Sequence, residues 1–167
     1  MENNNLLIIG AGQYGHVAKE IAESMGTFEK IDFLDDNSND AVGKTDEFRC
    51  LNEKYRCAFV AIGNSQLRLK LIRELQAFGY EVVNLISPYA CISKSAVLEE
   101  GISIEPMAVI NTEVHIECGC LLSAGAVINH NSTIQKGCHI DCNATVPSGK
   151  TVPSATKVEY GKVFGNV

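Results

Sequence analysis

ISKSAVLEEGISIEPMAVINTEVHIECGCLLSAGAVINHNSTIQKGCHIDCNATVPSGKTVPSATKVEYGKVF, running from Ile92 to Phe164, carries a large apolar residue at every sixth position. The series is Ile92, Leu98, Ile104, Ile110, Ile116, Leu122, Ile128, Ile134, Ile140, Val146, Val152, Val158 and Phe164, without a gap. Glycine stands three residues after many of them, at Gly101, Gly119, Gly125, Gly137, Gly149 and Gly161. The next position is usually small or β-branched, as at Ala96, Ala108, Val114, Cys120, Ala126, Ser132, Cys138, Ala144 and Thr156. An amphipathic helix repeats every 3.6 residues and a strand every 2, so neither accounts for six. A coil of short strands does, with one large inward residue on each flat side and a small residue at each corner. Three sides make a coil of about 18 residues, so 92–164 supplies about four coils stacked at roughly 4.8 Å. The expected fold of this half is a parallel β-helix.

Before Pro88 the pattern is different, which places the domain boundaries at 1–87 and 88–167. Leu6 to Gly10 reads as a buried strand, and Tyr14 to Met25 as a helix with Val17, Ile21, Ala22 and Met25 on its apolar face. Lys30 to Asp36 and Cys57 to Gly63 read as further strands. Ser65 is the expected N-cap of a second helix that buries Leu67, Leu71, Ile72, Leu75 and Phe78 and stops at Gly79. Glu81 to Ile86 completes an expected four-stranded parallel sheet, a Rossmann-like α/β domain.

Composition narrows the function. Lys and Arg total 14 against 20 Asp and Glu, a formal charge of −6, so nothing suggests a nucleic-acid or anionic-membrane partner. No apolar run approaches the roughly 18 residues of a membrane span, and MENNNLLIIG lacks the basic flank and apolar core of a secretory signal. Seven cysteines, an odd number without an export signal, argue against a disulfide framework, and the expected location is the cytoplasm. Cys120 and Cys138, one coil apart, are expected to stack as small corner residues, while Cys118 and Cys142 fall on different sides of the coil. No metal is therefore expected, since a structural zinc needs four convergent ligands.

Gly10-Ala-Gly12-Gln-Tyr-Gly15, after a strand and before a helix, is a phosphate-cradling pattern. Residues without Cβ let the backbone approach a pyrophosphate at a helix N-terminus, where free N–H groups attract anions. Asp35 and Asp36 follow about 20 residues on, where an acidic group commonly holds a ribose hydroxyl. The same pattern fits NAD, which stays a competing ligand at this point.

GAGQYGH (Gly10 to His16), LDD (Leu34 to Asp36), AIGNSQLR (Ala61 to Arg68) and the hexapeptide repeat together resemble the sialic acid O-acetyltransferases and bacterial nucleotide-sugar N-acetyltransferases, including the bacillosamine-pathway type. These belong to the hexapeptide-repeat acyltransferases. The resemblance implies a left-handed β-helix, a homotrimer and transfer of acetyl from acetyl-CoA to a UDP-amino sugar for bacterial glycan biosynthesis, with O-acetylation as a variant. It implies His16 near the phosphates, and Asp35, Asp36, Ile62 and Gly63 around the nucleotide and sugar. His130 takes the place of the family's catalytic base, and His139 that of a second histidine near the acetyl group. Two departures stand out. The base is followed by Asn131, where the family has Glu or Asp, and the chain stops at Val167, short of the coils that help bind coenzyme A in relatives. These departures favour an alternative, a non-catalytic β-helical trimer that binds a sugar nucleotide.

Overall fold

LLII and CAFV are short, wholly apolar and β-rich, which suits strands covered on both faces of a parallel sheet. In the computed structural model, which describes residues 4–165, they are β1 (Leu6–Ile9) and β4 (Cys57–Val60), paired in parallel with Leu6 opposite Cys57. The chain divides into two units, Met1–Leu85 and Ile86–Val167.

The first unit continues with α1 (Gln13–Met25), β2 (Ile31–Leu34), β3 (Ala41–Gly43), a 3-10 turn (Thr45–Cys50), α2 (Ser65–Ala77) and β5 (Glu81–Val82). The sheet order is β3-β2-β1-β4-β5, all parallel. There are five strands here, not four: β3 adds an edge strand, and the expected strand Glu81 to Ile86 splits into β5 and Leu85–Ile86, which starts the β-helix. From β1 the chain crosses by α1 to β2, and from β4 it crosses by α2 to β5 on the opposite side of β1. Right-handed crossovers in opposite directions put the two helices on opposite faces. A crevice therefore opens at the carboxyl ends of β1 and β4, the topological switch point where α/β sheets bind ligands.

Both helices bury a slightly different stripe from the expected one. In α1 the buried residues are Gly15, Ala18, Ile21 and Ala22, while Val17 is exposed. In α2 they are Arg68, Leu71, Ile72 and Leu75, an i, i+3, i+4, i+7 set, while Leu67 and Phe78 turn outward. The α2 N-cap is Asn64, not Ser65: its side-chain oxygen accepts the Leu67 N–H at 2.9 Å, and Ser65 opens the helix. The two residues are both good caps, and the one preceding the first helical φ/ψ takes the role.

In the second unit every repeat contributes a two-residue strand whose second residue points inward. They form three parallel columns with an 18-residue register: Ile92, Ile110, Ile128 and Val146; Leu98, Ile116, Ile134 and Val152; Ile104, Leu122, Ile140 and Val158. Burying each Ile or Leu stabilises by roughly 1.5–3 kcal/mol, distributed evenly along the coil axis. Cys120 and Cys138 are fully buried in this core as adjacent-coil neighbours, as their spacing predicts. Among the described residues no helix is long and apolar enough to cross a membrane.

The corners follow a rule stricter than the glycine pattern suggests. Positive φ occurs at 101, 107, 113, 119, 125, 131, 137, 143, 149, 155 and 161, every sixth residue without exception. Glycine fills six of these positions, and Met107, Glu113, Asn131, Asn143 and Ala155 fill the rest. From 119 onward the amide at each such position donates to a carbonyl of the preceding coil, as Gly119 does to Glu100 and Asn131 to Thr112 at 3.0 Å. The corner is therefore a left-handed residue locked by an inter-coil hydrogen bond.

A side chain in that conformation costs about 1–2 kcal/mol unless it is Gly, Asn or Asp. Ala155→Gly is therefore expected to raise stability by about 1 kcal/mol, and Gly149→Ala, in open space, to lower it by a similar amount. Urea midpoints of the two variants against wild type check both signs.

Candidate active site

At the end of β1 the three glycines have separate structural duties. Gly10 turns with φ +102°, and a Cβ there would meet the Ala61 carbonyl oxygen at 3.0 Å. Gly15 faces that turn from within α1, where a Cβ would lie 2.2 Å from the Gly10 carbonyl oxygen. Only hydrogen fits, so the helix packs tightly on the strand. Gly12 is the N-cap of α1, no side chain caps the helix there, and a Cβ on Gly12 would touch nothing within 4 Å. The helix start thus presents backbone with open space before it. His16 is exposed in the first turn, its ring edge-on to Phe33 and its Nε2 3.6 Å from Asp40.

Asp35 is committed to the loops. One carboxylate oxygen accepts the Ala11 N–H at 2.9 Å, and the other accepts from Asn37 and Ser38 at 2.8 and 3.1 Å. These backbone donors, Ala11 foremost, hold its carboxyl below the ordinary aspartate value. Asp35, the residue expected at a ribose, also ties the glycine turn to the end of β2. Asp36 is exposed, accepts the Thr45 N–H at 3.0 Å, and lines an open groove of ≈ 550 Å³ with Lys44, Arg49 and Lys70. Ile62 and Gly63 form the turn between β4 and α2, beside Gly10. Glycine turn, Asp35, Asp36 and this second turn all gather at the carboxyl end of the sheet.

In the β-helix, His130 stands two residues after inward-facing Ile128 and is exposed at a corner. Its Nδ1 lies 3.0 Å from the Asn131 side-chain oxygen. An amide oxygen only accepts, so Nδ1 carries the hydrogen and the Nε2 lone pair faces outward. Asn131 also occupies a left-handed corner position, φ 59°, which asparagine tolerates well. One residue thus meets a backbone demand and fixes a tautomer.

His139 is on a different part of the perimeter, half a coil further on, in the strand His139–Ile140. Its Nε2 lies 3.0 Å from Ser123 Oγ and 4.0 Å from Asp141. The aspartate approaches the same nitrogen as the serine, so the three do not form a Ser-His-Asp relay, which needs opposite ring nitrogens. The Asp141 side chain is 2% exposed and pairs with Lys157 at 3.1 Å. Burial pushes the Glu105 carboxyl up, next to Ser123 and the Ala124 amide that donates to it at 3.1 Å. Glu105, Ser123 and Asp141 escape motif reading because they are scattered along the chain. Their spacing of 18 residues, one coil, is the signal that unites them. His115 pairs with Glu99 at 3.5 Å on yet another side. Cys118 and Cys142 occupy different corners, and burial pushes the Cys118 thiol up to about 11. Among the described residues no group of three or more His, Cys, Asp or Glu is placed to hold a metal ion.

A phosphate-approach turn at a switch point and a β-helix with histidines on its perimeter are the features of the class of two-domain proteins to which the sequence resemblance pointed. Residues 5–75 match the PglD N-terminal domain family. UDP-N-acetylbacillosamine N-acetyltransferase of Bacillus subtilis is 28% identical over 109 residues, 60% of this chain and 50% of that protein. The chain thus spans half the length of this curated relative. The acetyltransferase domain of PglB from Neisseria gonorrhoeae, solved in complex with acetyl coenzyme A, superposes with a TM-score of 0.91 at 27% identity, over 96% of this chain and 82% of that one. A mutant of perosamine N-acetyltransferase from Caulobacter crescentus, in complex with CoA and GDP-perosamine, gives 0.73 at 26% identity, over 95% and 87%. The chain resembles the sugar-nucleotide acetyltransferases in sequence and in fold, a Rossmann-like parallel sheet followed by a left-handed parallel β-helix.

Two variants probe the geometry at β1. Gly15→Ala is expected to destabilise by about 1–3 kcal/mol through its clash with Gly10, and Gly12→Ala to fold normally, read by urea unfolding. The lowered carboxyl of Asp35 means the folded state binds its proton less readily than the unfolded one. Its contribution is complete above the unfolded value near pH 3.9 and is lost as pH falls through the lower folded value. Asp35→Asn is expected to remove that part of the acid-side decline in unfolding midpoint.

Proposed function

We propose that this chain transfers acetyl from acetyl-CoA to the amino group of a nucleotide-activated amino sugar, a UDP-amino sugar by the sequence resemblance, in bacterial glycan biosynthesis. The observation that carries the reading is His130, an exposed imidazole whose Nδ1 hydrogen is held by Asn131 so that Nε2 is free to act as a base. The relatives support it: the PglB domain is solved with acetyl coenzyme A, and the perosamine enzyme with CoA and GDP-perosamine. The division of labour assigns the Rossmann-like half, 1–87, to the sugar nucleotide and the β-helix, 88–167, to acyl transfer.

In this mechanism Gly10, Gly12 and Gly15 bring backbone to the diphosphate, with His16 beside it. Asp35 holds the glycine turn in place, and Asp36, Ile62 and Gly63 border the nucleotide and sugar. His130 Nε2 accepts the amine proton as nitrogen bonds to the thioester carbonyl carbon. Asn131 keeps the ring in that tautomer and leaves the proton on Nε2, from which it passes to the departing CoA sulfur. His139, fixed through Ser123, faces the acetyl oxygen. Acetyl-CoA supplies the activated acyl group, so neither a metal nor a covalent enzyme intermediate is required. His130 and His139 are half a coil apart on one chain, so a homotrimer, in which one copy's corner meets another copy's side, is the form that completes the site. The cytoplasm, where acetyl-CoA and sugar nucleotides are made, is the proposed compartment.

Acetyl transfer to a panel of UDP- and GDP-amino sugars, followed by product mass, tests this. His130→Ala is expected to lower the rate roughly 10²–10⁴-fold. Asn131→Asp, which keeps the acceptor and adds charge, is expected to raise it, and Asn131→Leu to lower it. A protein that binds a sugar nucleotide yet acetylates none of the panel would be a binding module, and full activity in His130→Ala would rule out this base.

A further inference from the structure

Arg68 is completely buried, the largest such side chain among the described residues, and it occupies a position of α2 that an apolar residue would ordinarily fill. Its Nη1 donates to two successive carbonyls, Ile62 at 2.6 Å and Gly63 at 3.0 Å. Burying a guanidinium is costly unless its donors are satisfied, so these bonds are structurally expensive to break. They also have a geometric consequence. In a trans peptide C=O and N–H point in opposite directions. Pulling the Ile62 and Gly63 carbonyls inward to Arg68 therefore turns the Gly63 and Asn64 N–H groups away from it. Among the described residues neither amide has a backbone hydrogen-bond partner. Successive N–H groups aimed the same way can form an anion-holding concavity, and this turn lies at the carboxyl end of β4 next to Gly10.

We infer that Arg68 is a positioning residue for diphosphate binding: from inside the fold it holds the Ile62–Gly63 turn so that the Gly63 and Asn64 amides face the phosphates. The inference rests on the sugar-nucleotide site proposed above. It assigns the anion contacts of the second turn to backbone, and their orientation to a cation that never touches the ligand.

The test is calorimetric titration with UDP and GDP, and with uridine and guanosine as ligands lacking phosphate. Arg68→Met and Arg68→Lys are expected to weaken the bound diphosphate about tenfold or more while leaving nucleoside binding and the KM for acetyl-CoA unchanged. A structural role alone would move all of these together. An independent pair uses Asn64, whose φ of −67° suits proline. Asn64→Pro deletes the amide hydrogen and the cap, and Asn64→Ala deletes the cap alone. The proline variant is expected to lose diphosphate affinity and to raise the KM for the sugar nucleotide with little change in kcat, whereas the alanine variant keeps both. This pair decides the matter if Arg68→Met does not fold. Equal diphosphate affinity in Asn64→Pro and Asn64→Ala would overturn the inference while leaving the acceptor reading intact. A wild-type protein that binds neither UDP nor GDP would overturn both.

Discussion

A backbone that must bend into the left-handed region every six residues governs the β-helical half. Each corner turns the chain from one flat side to the next, and from 119 onward its amide is bonded to a carbonyl of the coil before. The inward Ile, Leu and Val columns follow from that spacing, since a strand of two residues between corners can aim only one side chain at the axis. Hydrophobic burial supplies most of the stability, but the corner rule decides where it is applied. Five of the corners carry side chains other than hydrogen, so the coil tolerates local strain because every neighbouring rung enforces the same path.

The same corner rule shapes the surroundings of His130. His130 is exposed immediately before a corner, and Asn131 is at the corner itself. An asparagine there is conformationally favoured, and its amide oxygen reaches the ring of the preceding residue. The Glu-or-Asp pattern of the resembled family thus has a neutral substitute that keeps the acceptor and gives up the charge. In the first unit the equivalent constraint is steric: the Gly10 carbonyl and Gly15 approach so closely that no side chain fits, which sets α1 with its open end at the switch point.

Period six was legible because inward residue and corner are both written in single residue types, and the 18-residue register followed from it. Other features were hidden for specific physical reasons. Strand β3 has two half-buried residues around an exposed Val42 and no apolar run to announce it. Leu67 is apolar and Arg68 is not, so hydrophobic periodicity placed the wrong one inside; the buried guanidinium is explained by carbonyls that no pattern of side chains displays. Asp35 stands where the fingerprint puts an acid, but the loop amides that its oxygens accept from belong to the backbone and leave no mark in the sequence. The polar neighbours of His139 come from three different coils, and only the folded register brings them together.

The corner spacing also restricts how the chain can change length. Removing one residue from a rung would turn an inward isoleucine outward and shift every later corner off its hydrogen-bond partner. Removing six would keep the inward residues inward but rotate the following segment by one side, carrying each histidine to a new face. Only whole coils of about 18 residues can be gained or lost without disturbing the columns. The β-helix is thus quantised in length, and descent with insertion or deletion is channelled into steps that leave the arrangement around its axis untouched.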